Sequence, residues 1–243
     1  MFNVSQKKIL ITGGSSGIGE ALAKGFSDAN AIVTIIDIQN PIKSNNIDFI
    51  KCDLSKLKSI DLALNKYKKK YFCPDVIINC AGVAISKESH NYSQIDWQKT
   101  IDINLSAIFY ICKQIGKIMI KSKIKGSIIN ITSIGAEQGF PNNPAYQASK
   151  GAVKQLTKAM AVDWGQYGIR VNNIVPGYTN TPMNKKSWNN KKLRKARSDN
   201  TLLKRWANPN EMVGPSIFLA SDASSYITGI DLIVDGGWLA KGI

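Results

Sequence analysis

Tyr146 and Lys150 stand four residues apart in the run Tyr146-Gln-Ala-Ser-Lys150. On a helix that spacing puts a phenol and an ammonium on one face, where both can meet a common substrate. A free phenol, with a pKa of about 10, is a poor base at neutral pH. An ammonium one helical turn away favours its ionised form, which makes the pair proton-transfer equipment. Taken alone, the spacing fits an ordinary helix surface equally well. Ser133, just past the β-branched run at residues 127–131, adds a hydroxyl at the kind of strand end where ligands of open α/β sheets collect. There it can orient a substrate oxygen and steady developing charge.

A second group lies near the N-terminus. The run Thr12-Gly-Gly-Ser-Ser-Gly-Ile-Gly19 follows an apolar strand-like segment and precedes a helix-like one. In that context Gly13, Gly17 and Gly19 permit close backbone approach, and the backbone N–H groups with the helix N-terminus can hold a pyrophosphate. Asp37 ends the next strand-like segment about 20 residues on, where a carboxylate can accept both hydroxyls of an adenosine ribose. The same residue also fits a plain strand-end turn.

To bring these groups together the chain must alternate strands and helices, and its pattern does so from the start. Strands are predicted at residues 9–11, 32–36, 49–50, 76–78, 127–131, 170–175 and 231–234. Helices are predicted at 17–26, in a lysine-rich stretch ending before Pro74, at 95–120, at 145–164 and near 211–220. On the helix at 145–164, Val153, Leu156, Met160 and Ala161 form the inner side. Such alternation argues for an α/β fold, a doubly wound parallel sheet with helices on both faces. At 243 residues and 44% hydrophobic, the chain is expected to form a single domain spanning 1–243. Residues 180–208 are polar, basic and longer than an ordinary connection, which suggests a substrate lid within that domain.

Composition narrows the function classes. The cysteines, Cys52, Cys73, Cys80 and Cys112, form no Cys-x-x-Cys pair and read as reduced thiols, and the lone His90 excludes a multi-histidine metal centre. No metal is expected. The beginning of the sequence carries no cleavable apolar segment, and no apolar run approaches the roughly 18 to 20 residues that span a bilayer, so a cytoplasmic protein without membrane contact is expected. The net charge of +15 suits a nucleic-acid binder. The basic residues fall in separate clusters, at 66–70, 117–125 and 185–205, without a nucleic-acid motif, so no specific nucleic-acid partner is expected.

The spacing Gly-x-x-x-Gly-x-Gly, read with further segments, is similar to that of the short-chain dehydrogenase/reductase family, compact type. Matching segments are 12–19, Cys52-Asp53-Leu54-Ser55, Asn79-Cys-Ala-Gly82, Asn104, Ile131-Thr-Ser133, 146–150, Pro176-Gly177 with Thr181, Ile227-Thr-Gly229 and Asp235-Gly-Gly237. The resemblance covers nearly the whole chain. It implies a Rossmann-like fold, a nicotinamide dinucleotide and a homotetramer. It makes Asn104, Ser133, Tyr146 and Lys150 the catalytic set, with Lys150 also on the nicotinamide ribose and Asn104 anchoring a water that relays protons. It further implies cofactor contacts from Ser15, Ser16 and Ile18 in the turn, from Asp53 and Leu54 near the adenine, and from Asn79, Ala81 and Gly82 along the channel. Pro176, Gly177 and Thr179 follow, with Thr181 on the nicotinamide carboxamide. Cys80 departs from the commoner asparagine. Family members using the phosphorylated cofactor usually place a basic residue where this chain has Ser16 or Ile38, so NAD(H) is the expected cofactor.

The C-terminal run at 236–243 resembles sugar-acid members, gluconate and deoxygluconate dehydrogenases. The leading expectation is therefore interconversion of a secondary alcohol and a ketone, on a sugar acid or polyol, with Tyr146 as general acid/base. One or two inward-facing cations among Lys191, Lys192, Arg194, Lys195 and Arg197 could bind a carboxylate or phosphate. A 3-oxoacyl-carrier-protein reductase is the enzymatic alternative, which Asp37 disfavours. A catalytically silent dinucleotide sensor, or a nucleic-acid binder, is the alternative of another class. Helix faces at 101–120 and 152–164 could carry subunit contacts, or could merely face the sheet.

Overall fold

In β1 (Lys8–Thr12), Leu10 enters one apolar core while Ile9 and Ile11 enter another, so one short run serves both faces of a sheet. The computed structural model describes residues 2–41 and 46–241. The last two residues of the C-terminal run at 236–243, and the first and last of the expected domain span, lie outside the described residues. Six more strands follow: β2 (Ile32–Asp37), β3 (Ile47–Lys51), β4 (Val76–Asn79), β5 (Ser127–Ile131), β6 (Arg170–Pro176) and β7 (Asp231–Val234). They form one sheet in the order β3-β2-β1-β4-β5-β6-β7, and every neighbouring pair is parallel. The fold is Rossmann-like. Because the chain winds outward from β1 in one direction and from β4 in the other, a crevice opens between their C-terminal ends.

The helices are α1 (Gly17–Asp28), α2 (Leu57–Tyr71), α3 (Gln94–Ile101), α4 (Ala107–Lys121), α5 (Pro144–Trp164), α6 (Lys185–Asn189), α7 (Lys191–Asn200) and α8 (Val213–Ala220). Leu22 and Phe26 of α1 and Leu219 of α8 fill the core on one face. Ile60 and Leu64 of α2, Ile111 and Ile115 of α4, and Val153 and Met160 of α5 fill the other. Each predicted strand and helix is observed with ends within a few residues, while the expected lid also contains α6 and α7, which the sequence reading did not predict.

Two features depart from the sequence expectations. The helical run Gln94–Lys121 is long and apolar enough, by length and composition, to cross a membrane. Its apolar side, from Ile108 to Met119, is instead buried in the core with Ile77 and Ile128 of the sheet. Within that run, Asp102–Ser106 form a π-helical turn between α3 and α4. The wider turn changes the facing of the residues it contains, and such turns gather at functional sites.

A polar chain crosses the core beneath the crevice. Asn79 Nδ2 donates to Asn130 Oδ1 (2.8 Å), Asn130 Nδ2 to Thr157 Oγ1 (2.8 Å), and Thr157 Oγ1 to Asn173 Oδ1 (2.7 Å). Asn173 Nδ2 then donates to Asp231 Oδ1 (2.7 Å). Buried amides need partners, and these bonds fix β4, β5, β6 and β7 against α5 in one register, with Asn79 Oδ1 the member left without a partner. Thr157 lies two helical turns below Lys150, so the network also sets how α5 presents the face that carries Tyr146 and Lys150.

Candidate active site

The glycine turn is fastened to the crevice by backbone approach. Thr12 Oγ1 accepts hydrogen bonds from the N–H groups of Cys80 and Ala81 (3.2 and 3.3 Å), which ties the end of β1 to the end of β4. Gly13 has φ of +71°, and a Cβ there would stand 2.6 Å from Ala81 Cα. A Cβ at Gly19 would stand 2.0 Å from the Gly13 carbonyl oxygen. Only hydrogen fits either place, so the turn lies flat and α1 starts directly above it. Ser16, at the head of α1, makes no side-chain cap. The first-turn N–H groups of α1 are therefore available to an anion, and the cradle fits a dinucleotide pyrophosphate.

A cleft of about 1240 Å³ extends from this turn across the sheet edge. That exceeds the roughly 300–1,000 Å³ of a pocket for one drug-sized molecule. Its wall includes Gly13, Ser16, Gly17, Ile18, Gly19, Asp37, Asp53, Leu54, Ala81 and Gly82 on one side. Ser133, Tyr146, Lys150, Pro176, Gly177, Thr179 and Thr181 line the other. Asp37 is held in place: its oxygens accept from the N–H groups of Ser15 (3.0 Å) and Gln39 (3.0 Å).

Three residues assigned to the site stand off this wall. Ser15 turns its hydroxyl to the Gln39 carbonyl (2.7 Å), so its contribution is the N–H that positions Asp37. Asn79 is fully buried in the core network and does not line the channel, because its amide is required by Asn130 and by the Cys112 thiol (3.3 Å). Asn104, in the π turn, is also fully buried. Its Oδ1 accepts from Val83 N–H (2.8 Å), and its Nδ2 donates to Val83 O (2.9 Å) and Ser149 Oγ (3.2 Å). Asn104 is therefore a positioning residue, clamping the loop after β4 to α5 next to Tyr146.

The chemistry converges from two elements. Tyr146 and Lys150 rise from one face of α5, with the Lys150 ammonium 5.7 Å from the Tyr146 ring centroid. Burial pushes the phenol above its ordinary range, and the neighbouring Ser133 hydroxyl draws it partly back. That hydroxyl also accepts from Gly135 N–H (3.0 Å), which fixes its direction. Lys150 Nζ donates to the Ile131 carbonyl (2.7 Å), and burial lowers its pKa to about 8. In the protein alone, then, the pull on the phenol comes from Ser133. The sequence suggested Lys150 as its source, but that ammonium is engaged by the end of β5. Cys80, beside them, is pushed up to about 12 by burial and is no nucleophile at neutral pH.

Beyond Tyr146 the wall becomes aromatic. Gln147 clamps Phe140 by accepting from its N–H and donating to its carbonyl (2.6 Å each). Phe140 meets the Tyr178 ring edge-on at 6.2 Å, and Tyr178 packs on Trp206 (5.1 Å) and Trp238 (5.0 Å). Trp238 donates to Gln138 Oε1 (2.9 Å), joining the C-terminal segment to the loop after β5. Trp188 closes the group against Trp206 at 5.4 Å. Sequence reasoning located the loops here but not the cluster. Its sequence signals were the tyrosine directly after Pro176-Gly177 and the tryptophans of the stretch at 180–208.

Comparisons with known proteins agree with this geometry. A short-chain dehydrogenase family model, described as enoyl-(acyl carrier protein) reductase, matches residues 13–239. A 2-dehydro-3-deoxy-D-gluconate 5-dehydrogenase of Pseudoalteromonas atlantica is 33% identical over 99% of this chain and 98% of its own length. An NAD-dependent glycerol dehydrogenase of Listeria innocua is 34% identical over 99% of this chain and 96% of its own. Among solved structures, a gluconate 5-dehydrogenase from Burkholderia cenocepacia in complex with NADP and tartrate superposes with a TM-score of 0.93. It is 30% identical, over 98% of this chain and 97% of that one.

Proposed function

The chain belongs to the short-chain dehydrogenase/reductase family, and from that premise we propose that it is an NAD(H)-dependent oxidoreductase interconverting a secondary alcohol and a ketone on a sugar acid or polyol. The observation that carries this reading is the convergence of Ser133, Tyr146 and Lys150 in one cleft at the topological switch point. A bound nicotinamide dinucleotide supplies the hydride acceptor or donor. Tyr146 accepts the substrate hydroxyl proton in oxidation and returns one in reduction, and Ser133 holds the substrate oxygen against the phenol. Lys150 contributes positive charge beside both, and Asn104 fixes the loop after β4 that faces them.

Asp37 supports NAD(H) over NADP(H). Its carboxylate is oriented by two N–H groups at the end of β2, and the flanking Ser16 and Ile38 bring no positive charge to offset a 2′-phosphate. The sugar-acid and polyol class rests on the relatives' activities. Four free cysteines suit a reducing compartment such as the cytoplasm. Exposed Phe109 on α4 and Val162 on α5 suit helix-to-helix contacts in a homotetramer. The whole chain is read as one dinucleotide-binding domain, with residues 180–208 as its lid.

The test is reduction of NAD, followed by absorbance, across sugar acids, polyols and simple alcohols, with NADP and acyl-thioester reduction run beside it. Turnover confined to sugar acids or polyols with NAD is expected. Thioester reduction with NADPH would move the protein to acyl-chain reduction. Tyr146→Phe is expected to lower kcat by about 10³-fold with NADH affinity unchanged; a variant that keeps its activity removes Tyr146 from the reaction.

A further inference from the structure

The segment between β6 and α8 is rich in cations, and the structure sorts them. Lys195 pairs with Asp199 (2.7 Å) and Arg205 with Glu211 (2.6 Å), while Lys204 donates to the Asp199 carbonyl (2.8 Å). Lys191 and Lys192 are exposed, and the Arg194 guanidinium lies over Trp188 (4.9 Å). Arg197 is half-buried like Arg194, but of the two it alone lines the cleft, and its guanidinium lies 4.4 Å from the Tyr178 ring centroid and 5.7 Å from that of Trp206. Among the described residues no carboxylate forms an ion pair with it and no acceptor takes a hydrogen bond from it.

A guanidinium stacked on aromatic rings is held in plane, with its N–H edge left open for a planar two-oxygen acceptor. Taking that cation partly out of water without an anion is costly, so the arrangement is completed by a ligand that brings one. The location says which end of the cleft the ligand occupies. Tyr178 contacts Phe140, and Phe140 is clamped by Gln147, the neighbour of Tyr146. The glycine turn, with its own anion cradle, lies at the other end, where a Cβ on Gly17 would touch Thr181 and Pro182. Lys185 and Lys186 also reach the wall, but they come three and four residues after Pro182, which approaches that turn.

We propose that Arg197 is a specificity residue that receives the carboxylate of the substrate, so that the physiological substrate is a hydroxy or keto acid and not a neutral polyol. The assignment rests on the dehydrogenase reading for the word substrate, and the carboxylate site itself is testable without turnover. Calorimetry on the enzyme with NADH bound would compare D-gluconate, tartrate and glycerate with their uncharged counterparts glucitol, threitol and glycerol. The proteins compared are the wild type, Arg197→Met and Arg197→Lys. At least one acid is expected to bind the wild type, with affinity falling about 10- to 100-fold in Arg197→Met and less in Arg197→Lys. The uncharged counterparts, NADH affinity and the melting temperature are expected to stay unchanged.

Acid binding that survives in Arg197→Met overturns the proposal, as does equal loss of acid and neutral ligands, or a wild type that binds none of the acids. Turnover of the same compounds separates the two readings. Neutral polyols oxidised with no acid bound would leave the dehydrogenase reading standing and remove the role of Arg197. Carboxylate binding lost in Arg197→Met without turnover of any alcohol would do the reverse.

Discussion

The two halves of the cleft are built from different materials. On the cofactor side the surface is main chain: Gly13 and Gly19 have no room for a Cβ, Thr12 ties two strand ends, and Asp37 is set by two N–H groups. On the opposite side it is side chain: Phe140, Tyr178, Trp206 and Trp238 pack on one another, and Arg197 lies over two of them. A backbone surface can be exact for one ligand because it has little freedom to change. An aromatic one can be refashioned residue by residue, which fits a shared cofactor and a variable substrate.

Gly13→Ala should break the comparison on its rigid side, with the largest effect. The new methyl would meet Ala81 backbone at 2.6 Å, and φ of +71° is strained for any residue with a Cβ. NADH affinity, followed by fluorescence titration, is expected to fall at least about 100-fold, while the tryptophan emission of the distant aromatic cluster stays as in the wild type. A variant with near-normal NADH affinity would mean that the turn is not the dinucleotide cradle.

This contrast also explains what was legible in the sequence. Gly13, Gly17 and Gly19, Ser133, and the Tyr146–Lys150 pair act through local backbone geometry, so spacing alone exposes them. Strand and helix positions followed for the same reason, since periods of 2 and 3.6 are local properties. Long-range partners were not legible. Asn79 was placed in the channel because nothing local reveals that Asn130, 51 residues away, claims its amide. The π turn that carries Asn104 leaves no trace that sets it apart in the helical spacing of the run. The aromatic cluster joins residues from the loop after β5, the end of β6 and the C-terminal segment, and only the folded sheet brings them together. Arg197 stood among several lid cations until the fold gave each of the others a different environment.

Ser133→Ala acts where the two halves meet, and its effect should be intermediate. Alcohol oxidation needs the ionised phenol, so its rate should climb with pH as Tyr146 loses its proton, and ketone reduction should do the opposite. Burial holds the phenol above its usual range and the Ser133 hydroxyl draws it down. Removing that hydroxyl therefore moves the rising limb of kcat for oxidation to higher pH, besides lowering its plateau by roughly 10²-fold. A limb that stays in place would assign the titration to another group, with Lys150, lowered to about 8, the first to examine.

The smallest effect is expected where the side-chain half is anchored. Arg205 pairs with Glu211 through both guanidinium nitrogens (2.7 and 2.6 Å), and Glu211 also accepts from Asn208 N–H (2.8 Å). These bonds bracket Trp206. They draw the Glu211 carboxyl from its ordinary 4.5 down to about 2. A depressed carboxyl stabilises the fold above its unfolded pKa, and that stabilisation is lost as pH falls from about 4.5 through 2. Because the pair is 53% and 39% exposed, solvent screening leaves it worth little. Glu211→Gln should therefore lower the melting temperature at neutral pH by only about 1–2 °C, with the difference from wild type closing toward pH 2. NADH affinity should not change, whereas KM for the substrate should rise slightly as Trp206 loosens under Tyr178. Equal loss of cofactor and substrate affinity would show that the two halves are mechanically one, and that their different construction does not let them vary independently.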